Sequence, residues 1–231
     1  MNTDKSIIKK EAFAASLPVV MGYFPIAMAY GLLAKNTGLS VVEAGLTSGL
    51  IYAGAAQFMA LDLFASSVAT GSIILTTFLL NLRYFVMSAS LSVNLKEDTK
   101  PFLPLIGFGI TDETFSVLSF NKDKLNSLYV LIVNVFPYLS WTIGTIIGHI
   151  AGELLPLSLQ TALGLGLYGL FAALLFPSFK GETALIKISM IAVVMYTAIF
   201  KWGRLSSGWD IILGIVLSTA LGILLLGKEL E

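Results

Sequence analysis

Residues Gly71 to Leu95 read GSIILTTFLLNLRYFVMSASLSVNL, a stretch long and apolar enough to cross a lipid bilayer as one helix. Arg83 lies near its middle. At helical spacing, one stripe of this helix carries polar side chains, namely Thr77, Asn81, Tyr84 and Ser88. A charge at the centre of a bilayer costs about 2.5–3.5 kcal/mol on insertion scales, so it normally faces protein or water and has a partner. We therefore expect an anion opposite Arg83, either in a structural salt bridge that fixes the register of the helix or in a functional site.

The composition places the whole chain in the membrane class. Hydrophobic residues make up 56% of the 231 residues and charged residues only 12%, whereas soluble proteins carry roughly a quarter. Basic and acidic residues balance at 14 each, so nothing suggests nucleic acid as a partner. There is no cysteine, a single histidine and no Walker A motif, so we predict no metal, no cofactor and no nucleotide hydrolysis.

Apolar segments follow one another along the chain and predict an all-α integral membrane protein, a polytopic bundle of about eight hydrophobic helices. The segments run over about 11–34, 41–64, 71–95, 102–120, 128–151, 157–176, 184–200 and 211–226. The fourth is the weakest candidate, because glycines and a polar run interrupt it. The predicted domains are a cytoplasmic tail over 1–10, a transmembrane permease domain over 11–227 and a C-terminal tail over 228–231.

Prolines mark the first segment. Pro18 and Pro25 each remove a backbone donor, so the first helix is expected to be kinked or broken. Broken helices in transporters expose backbone groups that can bind substrate or ions, although a kink packed by neighbours is equally consistent with the sequence. After this segment, Ser40 and Glu43 have the spacing of a capping box and predict a helix start.

Two adjacent carboxylates stand in the fourth segment, in the run Thr111-Asp112-Glu113-Thr114. They belong either to a loop at the membrane interface or to an acidic site within the membrane. If this segment dips in and returns, the number of crossings changes. The distribution of basic residues does not choose, because it is equally good for eight crossings with a cytoplasmic N-terminus and for a re-entrant fourth segment with an external one.

A weak internal repeat relates the two halves. Gly31 to Ala34 resembles Gly148 to Ala151 at an offset of 117, and Tyr52 resembles Tyr168 at an offset of 116. Helices one to three would then correspond to five to seven, in parallel if all eight segments cross and inverted if the fourth is re-entrant. Small residues also form stripes that allow close helix packing, namely Gly45, Gly49, Ala53 and Ala56, and Gly144, Gly148 and Gly152.

Four ordered blocks carry a resemblance to a known family. They are Gly22 to Gly45, YAGAAQFMAL from Tyr52 to Leu61, TTFLLNLRYFVMSASLSVNLK from Thr76 to Lys96, and TDETF from Thr111 to Phe115. In that order and spacing they resemble the AzlC family, the large subunit of branched-chain amino acid exporters. The resemblance implies a permease of the inner or plasma membrane that exports leucine, isoleucine and valine, with methionine as a further candidate. It also implies a small AzlD-type partner subunit.

The positions that match the family are candidate site residues. We assign Pro25, Gln57, Asn81 and Arg83 to substrate binding, and Asp112 and Glu113 to ion coupling. An amino acid needs groups that bind its carboxylate and its ammonium, and Arg83 and the acidic pair supply both charges. Adjacent carboxylates in a partly dry site do not both ionise cheaply, so one is expected to bind a proton.

Two other functions stay open on the sequence alone. The acidic pair and Arg83 could serve an intramembrane enzyme that modifies lipid, although no serine, histidine or metal-ligand cluster supports one. The chain could also be a non-transporting assembly subunit of a membrane complex.

Overall fold

A computed structural model of the chain describes residues 2–156, 183–202 and 209–226, together with single positions at 158, 172, 176 and 179. All regular structure in these ranges is helical, which confirms the all-α prediction. Four of the described helices are long and apolar enough to cross a membrane, namely Lys5–Asn36, Thr70–Ser92, Ser127–Leu154 and Thr183–Trp202. The predicted sixth segment, Tyr168 of the repeat and the C-terminal tail lie outside the continuously described ranges.

The chain forms two compact units. The first comprises Met1–Phe58 and Leu80–Gly166, and the second comprises Met59–Leu79 and Leu167–Glu231. In chain order the described helices are α1 (Asn2–Asn36), α2 (Val41–Leu50), α3 (Gly54–Ala65), α4 (Thr70–Ser92), α5 (Leu103–Phe108), α6 (Asp112–Phe120), α7 (Ser127–Ala151), α8 (Thr183–Trp202) and α9 (Trp209–Leu226). Short 3₁₀ turns occupy Glu97–Phe102, Lys122–Lys124 and Gly152–Leu154. In the second unit α8 packs against α9, where Gly214 admits Tyr196.

Helix α1 is continuous through both of its prolines, so the first segment is not broken, and the alternative of a kink stays a prediction. Pro18 and Pro25 lie on its exposed face, where the unpaired carbonyls four residues earlier do not disturb the packed face. The helix begins at Asn2, so the predicted tail over residues 2–10 is helical. At 35 residues it is about 52 Å long and exceeds the ~30 Å hydrocarbon core of a bilayer.

Helices α1 and α7 run parallel and pack along most of their length. Near the start of both, Glu11 binds Lys124 at 2.8 Å; further along, the Ser140 hydroxyl donates to the Val20 carbonyl at 2.8 Å. At the opposite end, Lys35 binds Glu153 at 2.9 Å. The pairs follow the same order on both helices, which is possible only for parallel helices.

Glycines make this contact unusually close near the C-terminal ends of both helices. A Cβ at Gly31 would lie 2.0 Å from the Thr145 carbonyl oxygen, and one at Gly148 would lie 2.1 Å from the Met28 carbonyl oxygen. Gly148 is Gly31 plus 117 and Thr145 is Met28 plus 117, so the two contacts are equivalent under the offset of the predicted repeat. The stripe that contains Gly144 and Gly148 is therefore used inside the chain, against α1.

The predicted second segment is two helices that form a re-entrant hairpin, which we call hairpin 1 (α2, residues 51–53 and α3). Ser48 and Gln57 are nine residues apart and would be separated by about 13 Å in one helix, yet the Gln57 amide donates to the Ser48 hydroxyl at 3.0 Å. Thr47 and Phe58 likewise meet the same side chain, Tyr30. The hairpin enters at the C-terminal end of α1, where His149 Nε2 bonds the Leu39 carbonyl at 2.8 Å. The predicted capping box of Ser40 and Glu43 starts α2 and is confirmed.

The fourth segment is also re-entrant, and we call α5, residues 109–111 and α6 hairpin 2. Its two flanks meet, because Lys96 N–H donates to the Leu125 carbonyl at 3.1 Å and Ser127 N–H donates to Asp98 at 2.9 Å. Hydrogen bonds from the backbone and hydroxyl of Ser127 lower the pKa of the Asp98 carboxyl. Hairpin 2 therefore enters and leaves at the end where α1 and α7 begin.

The sequence analysis expected an inverted repeat if the fourth segment is re-entrant, and this expectation is wrong. It assumed that the second segment crosses the membrane, but the second segment turns back as hairpin 1. Near the C-terminal end of α4, Leu91 lies in one apolar cluster with Ala12, so α4 runs opposite to α1. With one crossing between them, α1 and α7 are parallel.

Candidate functional site

The tips of the two hairpins meet at the middle of α1 and α7, and we call this place the tip junction (residues 51–53 and 109–111). The Tyr52 ring lies 6.1 Å from the Phe108 ring and 5.2 Å from the Tyr138 ring, measured between centroids. Tyr23 of α1 packs on Tyr52 at 6.4 Å. Irregular backbone at membrane depth is tolerated where protein or a polar cavity surrounds it, and here three aromatic rings pack around Tyr52 at the tip of hairpin 1.

Arg83 has the anionic partner that its position required. Its Nη1 lies 2.8 Å from the Asp112 carboxylate, and both side chains keep about a quarter to a third of their surface exposed, 30% and 26%. The Arg83 Cζ atom also lies 5.1 Å from the ring centroid of Tyr84. Its buried Nε has no partner, so this N–H is left to bind a further acceptor.

Glu113 faces a different set of groups. Successive residues of a helix point about 100° apart, so Asp112 faces α4 while Glu113 faces α1. The Tyr23 hydroxyl hydrogen-bonds the Glu113 carboxylate and lies 2.7 Å from the Thr111 hydroxyl. A phenol has one proton, so it donates to only one of these oxygens. Thus Asp112 has a fixed cation, whereas Glu113 bonds the Tyr23 hydroxyl and has no ion pair within the described part of the chain.

The start of α6 is a capped helix N-terminus, and the two carboxylates follow its cap directly. Thr111 and Thr114 form a capping box, with Thr111 N–H donating to Thr114 Oγ1 at 2.8 Å and Thr114 N–H to Thr111 Oγ1 at 3.3 Å. The carboxylates that follow contact side chains near the middle of the long apolar helices α1 and α4, namely Tyr23 and Arg83. This placement favours an acidic site within the membrane over a loop at the interface.

Gln57 holds hairpin 1 against α7. Its Oε1 accepts from Trp141 Nε1 at 3.0 Å and its Nε2 donates to Ser48 at 3.0 Å; the Ser48 hydroxyl lies 2.7 Å from that of Thr145. Both polar ends of the Gln57 amide have protein partners, and its predicted place among the substrate ligands stays a prediction.

The remaining predicted ligands differ in placement. Pro25 is exposed, and it lies about 200° around α1 from Tyr23, outside the tip junction. Asn81 is half-buried on α4, and its buried Oδ1 has no partner. Of the six predicted site residues, three therefore converge at α6, namely Arg83, Asp112 and Glu113.

Two tyrosines of this site were not predicted from the sequence. Tyr23 carries the bond to Glu113, and Tyr52 stands at the tip of hairpin 1 with a positive φ of 47°. For a residue other than glycine such a conformation costs of the order of 1 kcal/mol. The sequence marked Tyr52 by the repeat and as the first residue of a block shared with the family, but gave it no role, and nothing singles out Tyr23 in an apolar helix. Among the described side chains no group of three or more histidines, cysteines or carboxylates is arranged to hold a metal.

Comparison with known proteins identifies relatives. The model of the family described as AzlC protein matches residues 18–155. A membrane protein of Archaeoglobus fulgidus is 35% identical over 219 residues, covering 89% of this chain and 97% of that protein. Inner membrane protein YgaZ of Escherichia coli is 32% identical, covering 74% of this chain and 73% of its own length. The branched-chain amino acid transport protein AzlC of Bacillus subtilis is 27% identical, covering 62% and 58%. No solved structure matches the chain.

Proposed function

The chain belongs to the AzlC protein family, and we propose that this multi-pass protein of the cell membrane exports branched-chain amino acids, with an ion gradient as the energy source. One observation carries the proposal. The ion pair Arg83–Asp112 and the separately bonded Glu113 lie where two re-entrant hairpins meet at membrane depth. Broken helices with polar groups at the midplane are how many secondary transporters build their binding sites.

The charges of this site suit an amino acid. Arg83, whose Nε–H has no partner, can bind the carboxylate, since guanidinium binds carboxylates with a planar pair of donors. Asn81 on the same helix offers a buried carbonyl oxygen without a partner. The branched-chain side chain is suggested by the name of the Bacillus subtilis relative, and leucine, isoleucine and valine are the proposed substrates, with methionine as a further candidate.

Glu113 is the proposed coupling group. A proton that binds it neutralises a carboxylate that bonds the neutral Tyr23 hydroxyl, whereas a proton on Asp112 would remove the charge that pairs with Arg83. Each elementary charge that moves through a membrane potential of 100 mV supplies about 2.3 kcal/mol. Proton exchange at Glu113 could therefore drive uphill export.

The proposed AzlD-type partner rests on the family resemblance. The small-residue stripe on α7 gives it no further support, because this stripe packs against α1 of the same chain. Recovery of a roughly 100-residue hydrophobic protein with this chain from native membranes would support the partner. Full transport by this chain alone would argue against it.

Cells that lack this protein test the export function. When fed dipeptides that contain valine, leucine or isoleucine, they should retain more of the free amino acid than the parent cells, and a plasmid copy should reverse the retention. Unchanged retention together with reduced efflux of an unrelated solute would contradict the substrate. A change in lipid composition without any transport defect would instead favour a lipid-modifying enzyme.

A further inference from the structure

Tyr52 is the one residue of the tip junction whose polar group has no partner. Tyr52 is only 3% exposed, and its hydroxyl forms no hydrogen bond. Its backbone also has a positive φ of 47°. Three neighbouring tyrosines behave differently. The hydroxyl of Tyr23 bonds Glu113, that of Tyr30 bonds Thr47, and that of Tyr138 donates to the Gly49 carbonyl.

A buried hydroxyl without a partner is unfavourable unless something else bonds it. Tyr52 is held in place by ring contacts with Tyr23, Phe108 and Tyr138, so packing fixes the ring and leaves the hydroxyl free. These contacts place it at the point where both hairpins end. The hydroxyl is thus available to a ligand that reaches the tip junction.

The chemistry of the surroundings favours a cationic donor. Tyr52 packs on Tyr23, whose hydroxyl bonds Glu113, so a carboxylate lies one ring away. The charge of Glu113 repels a carboxylate and attracts an ammonium group, and aromatic faces also accept ammonium ions well. A phenol oxygen can accept a hydrogen bond from such a group.

We propose that the Tyr52 hydroxyl accepts a hydrogen bond from the ammonium group of the transported amino acid, beside Glu113. This inference rests on the proposed function. It assigns the two ends of the substrate to different elements, the carboxylate to Arg83 on α4 and the ammonium to the tip of hairpin 1. Tyr52 then distinguishes amino acids from carboxylic acids of the same shape.

Displacement of radiolabelled leucine tests this assignment in membrane vesicles that contain the full chain. The competitors are unlabelled leucine and 4-methylpentanoate, which is leucine without its ammonium group. Tyr52→Phe removes only the hydroxyl and keeps the ring. We expect it to weaken leucine binding about tenfold or more, as for a lost hydrogen bond to a charged group, and to leave 4-methylpentanoate binding unchanged.

Tyr30→Phe is the matched control, because it removes a buried phenol hydroxyl from α1 that already has a protein partner. It should keep the parent preference for leucine over 4-methylpentanoate. Glu113→Gln is a second test variant and should lower that preference, as Tyr52→Phe does. Any of three results overturns the proposal. These are an unchanged preference in both test variants, equal weakening of both ligands by Tyr52→Phe, and a loss of preference in Tyr30→Phe as large as that in Tyr52→Phe. Failure of the parent vesicles to bind leucine overturns the proposed function, and this inference with it.

Discussion

At the residue scale, Asp112 and Glu113 show how neighbouring carboxylates acquire different chemistry. The helix turns one toward a guanidinium and the other toward a phenol. The ion pair of Asp112 opposes protonation, because loss of the negative charge would leave Arg83 unpaired in a low-dielectric region. Glu113 has no such constraint. The two residues are therefore expected to respond differently to the same neutral substitution.

Replacement of Glu113 by Gln should abolish the dependence of efflux on a pH gradient and preserve exchange of substrate for substrate when leucine is saturating. The amide retains the size and a hydrogen bond to Tyr23 but cannot exchange a proton. The measurement is efflux from proteoliposomes with an imposed pH gradient. Asp112→Asn is the matched control, and it should keep gradient dependence in whatever activity remains. If both variants respond to the gradient like the parent, the coupling site lies elsewhere.

Replacement of Arg83 by Lys tests whether the guanidinium binds substrate. Lysine keeps the charge but lacks the planar pair of donors, so uptake into vesicles should fall about tenfold, the effect of losing roughly 1.4 kcal/mol of binding. The double variant Arg83→Gln with Asp112→Asn removes both charges together. Compared with Arg83→Gln alone, it should restore the protein yield, because no unpaired charge remains, but it should not restore transport. The yield then reports on the salt bridge and the transport on the substrate contact. Full transport by a well-folded Arg83→Ala variant would remove Arg83 from the mechanism.

At the scale of elements, the sequence predicted long single helices well and reversals poorly. The predicted segments 71–95 and 128–151 correspond to α4 and α7 within three residues at each end, because apolar length and period are local properties. The prolines of α1 gave a strong local signal, but the packing of α1 on α7 overrides it. The turn of hairpin 1 depends on contacts such as Trp141 with Gln57, which are distant in sequence and carry no periodic pattern.

The site shows the same division. The pairing of Arg83 with an acid was predictable, because charges are rare in membrane helices and must find partners. The choice of Asp112 over Glu113 depends on where hairpin 2 turns. Tyr23 was not predictable, since tyrosine is common in apolar helices and only the fold brings it to Glu113.

The α1–α7 contact yields a prediction of its own. Gly31→Ala would place a Cβ 2.0 Å from the Thr145 carbonyl oxygen, so the helices would have to separate, at a cost of about 1–3 kcal/mol or more. Gly22→Ala in the same helix meets nothing within 4 Å and should be neutral or slightly stabilising. Thermal unfolding of both purified variants in one detergent gives the comparison. Equal melting temperatures would contradict the close contact.

At the scale of the whole molecule, the re-entrant hairpins change which basic residues lie at the same end of the first unit. Hairpin 2 returns to the end where α1 begins, so that end of the first unit collects seven lysines, namely Lys5, Lys9, Lys10, Lys96, Lys100, Lys122 and Lys124. At the opposite end, the described residues of the first unit contribute Lys35 as the basic side chain outside the membrane interior. By the positive-inside rule, we expect the lysine-rich end in the cytoplasm.

Cysteine labelling tests both this orientation and the return of hairpin 2. The chain contains no cysteine, so single substitutions at exposed positions label without background. Glu97→Cys and Asp123→Cys flank hairpin 2, and Asn36→Cys lies at the opposite end of α1. In intact cells a membrane-impermeant thiol reagent should label position 36 only, while positions 97 and 123 should react only after permeabilisation. Labelling of 97 and 123 from opposite sides would show that the fourth segment crosses. Labelling of both from outside, with 36 protected, would keep the hairpin but reverse the orientation and contradict the charge argument.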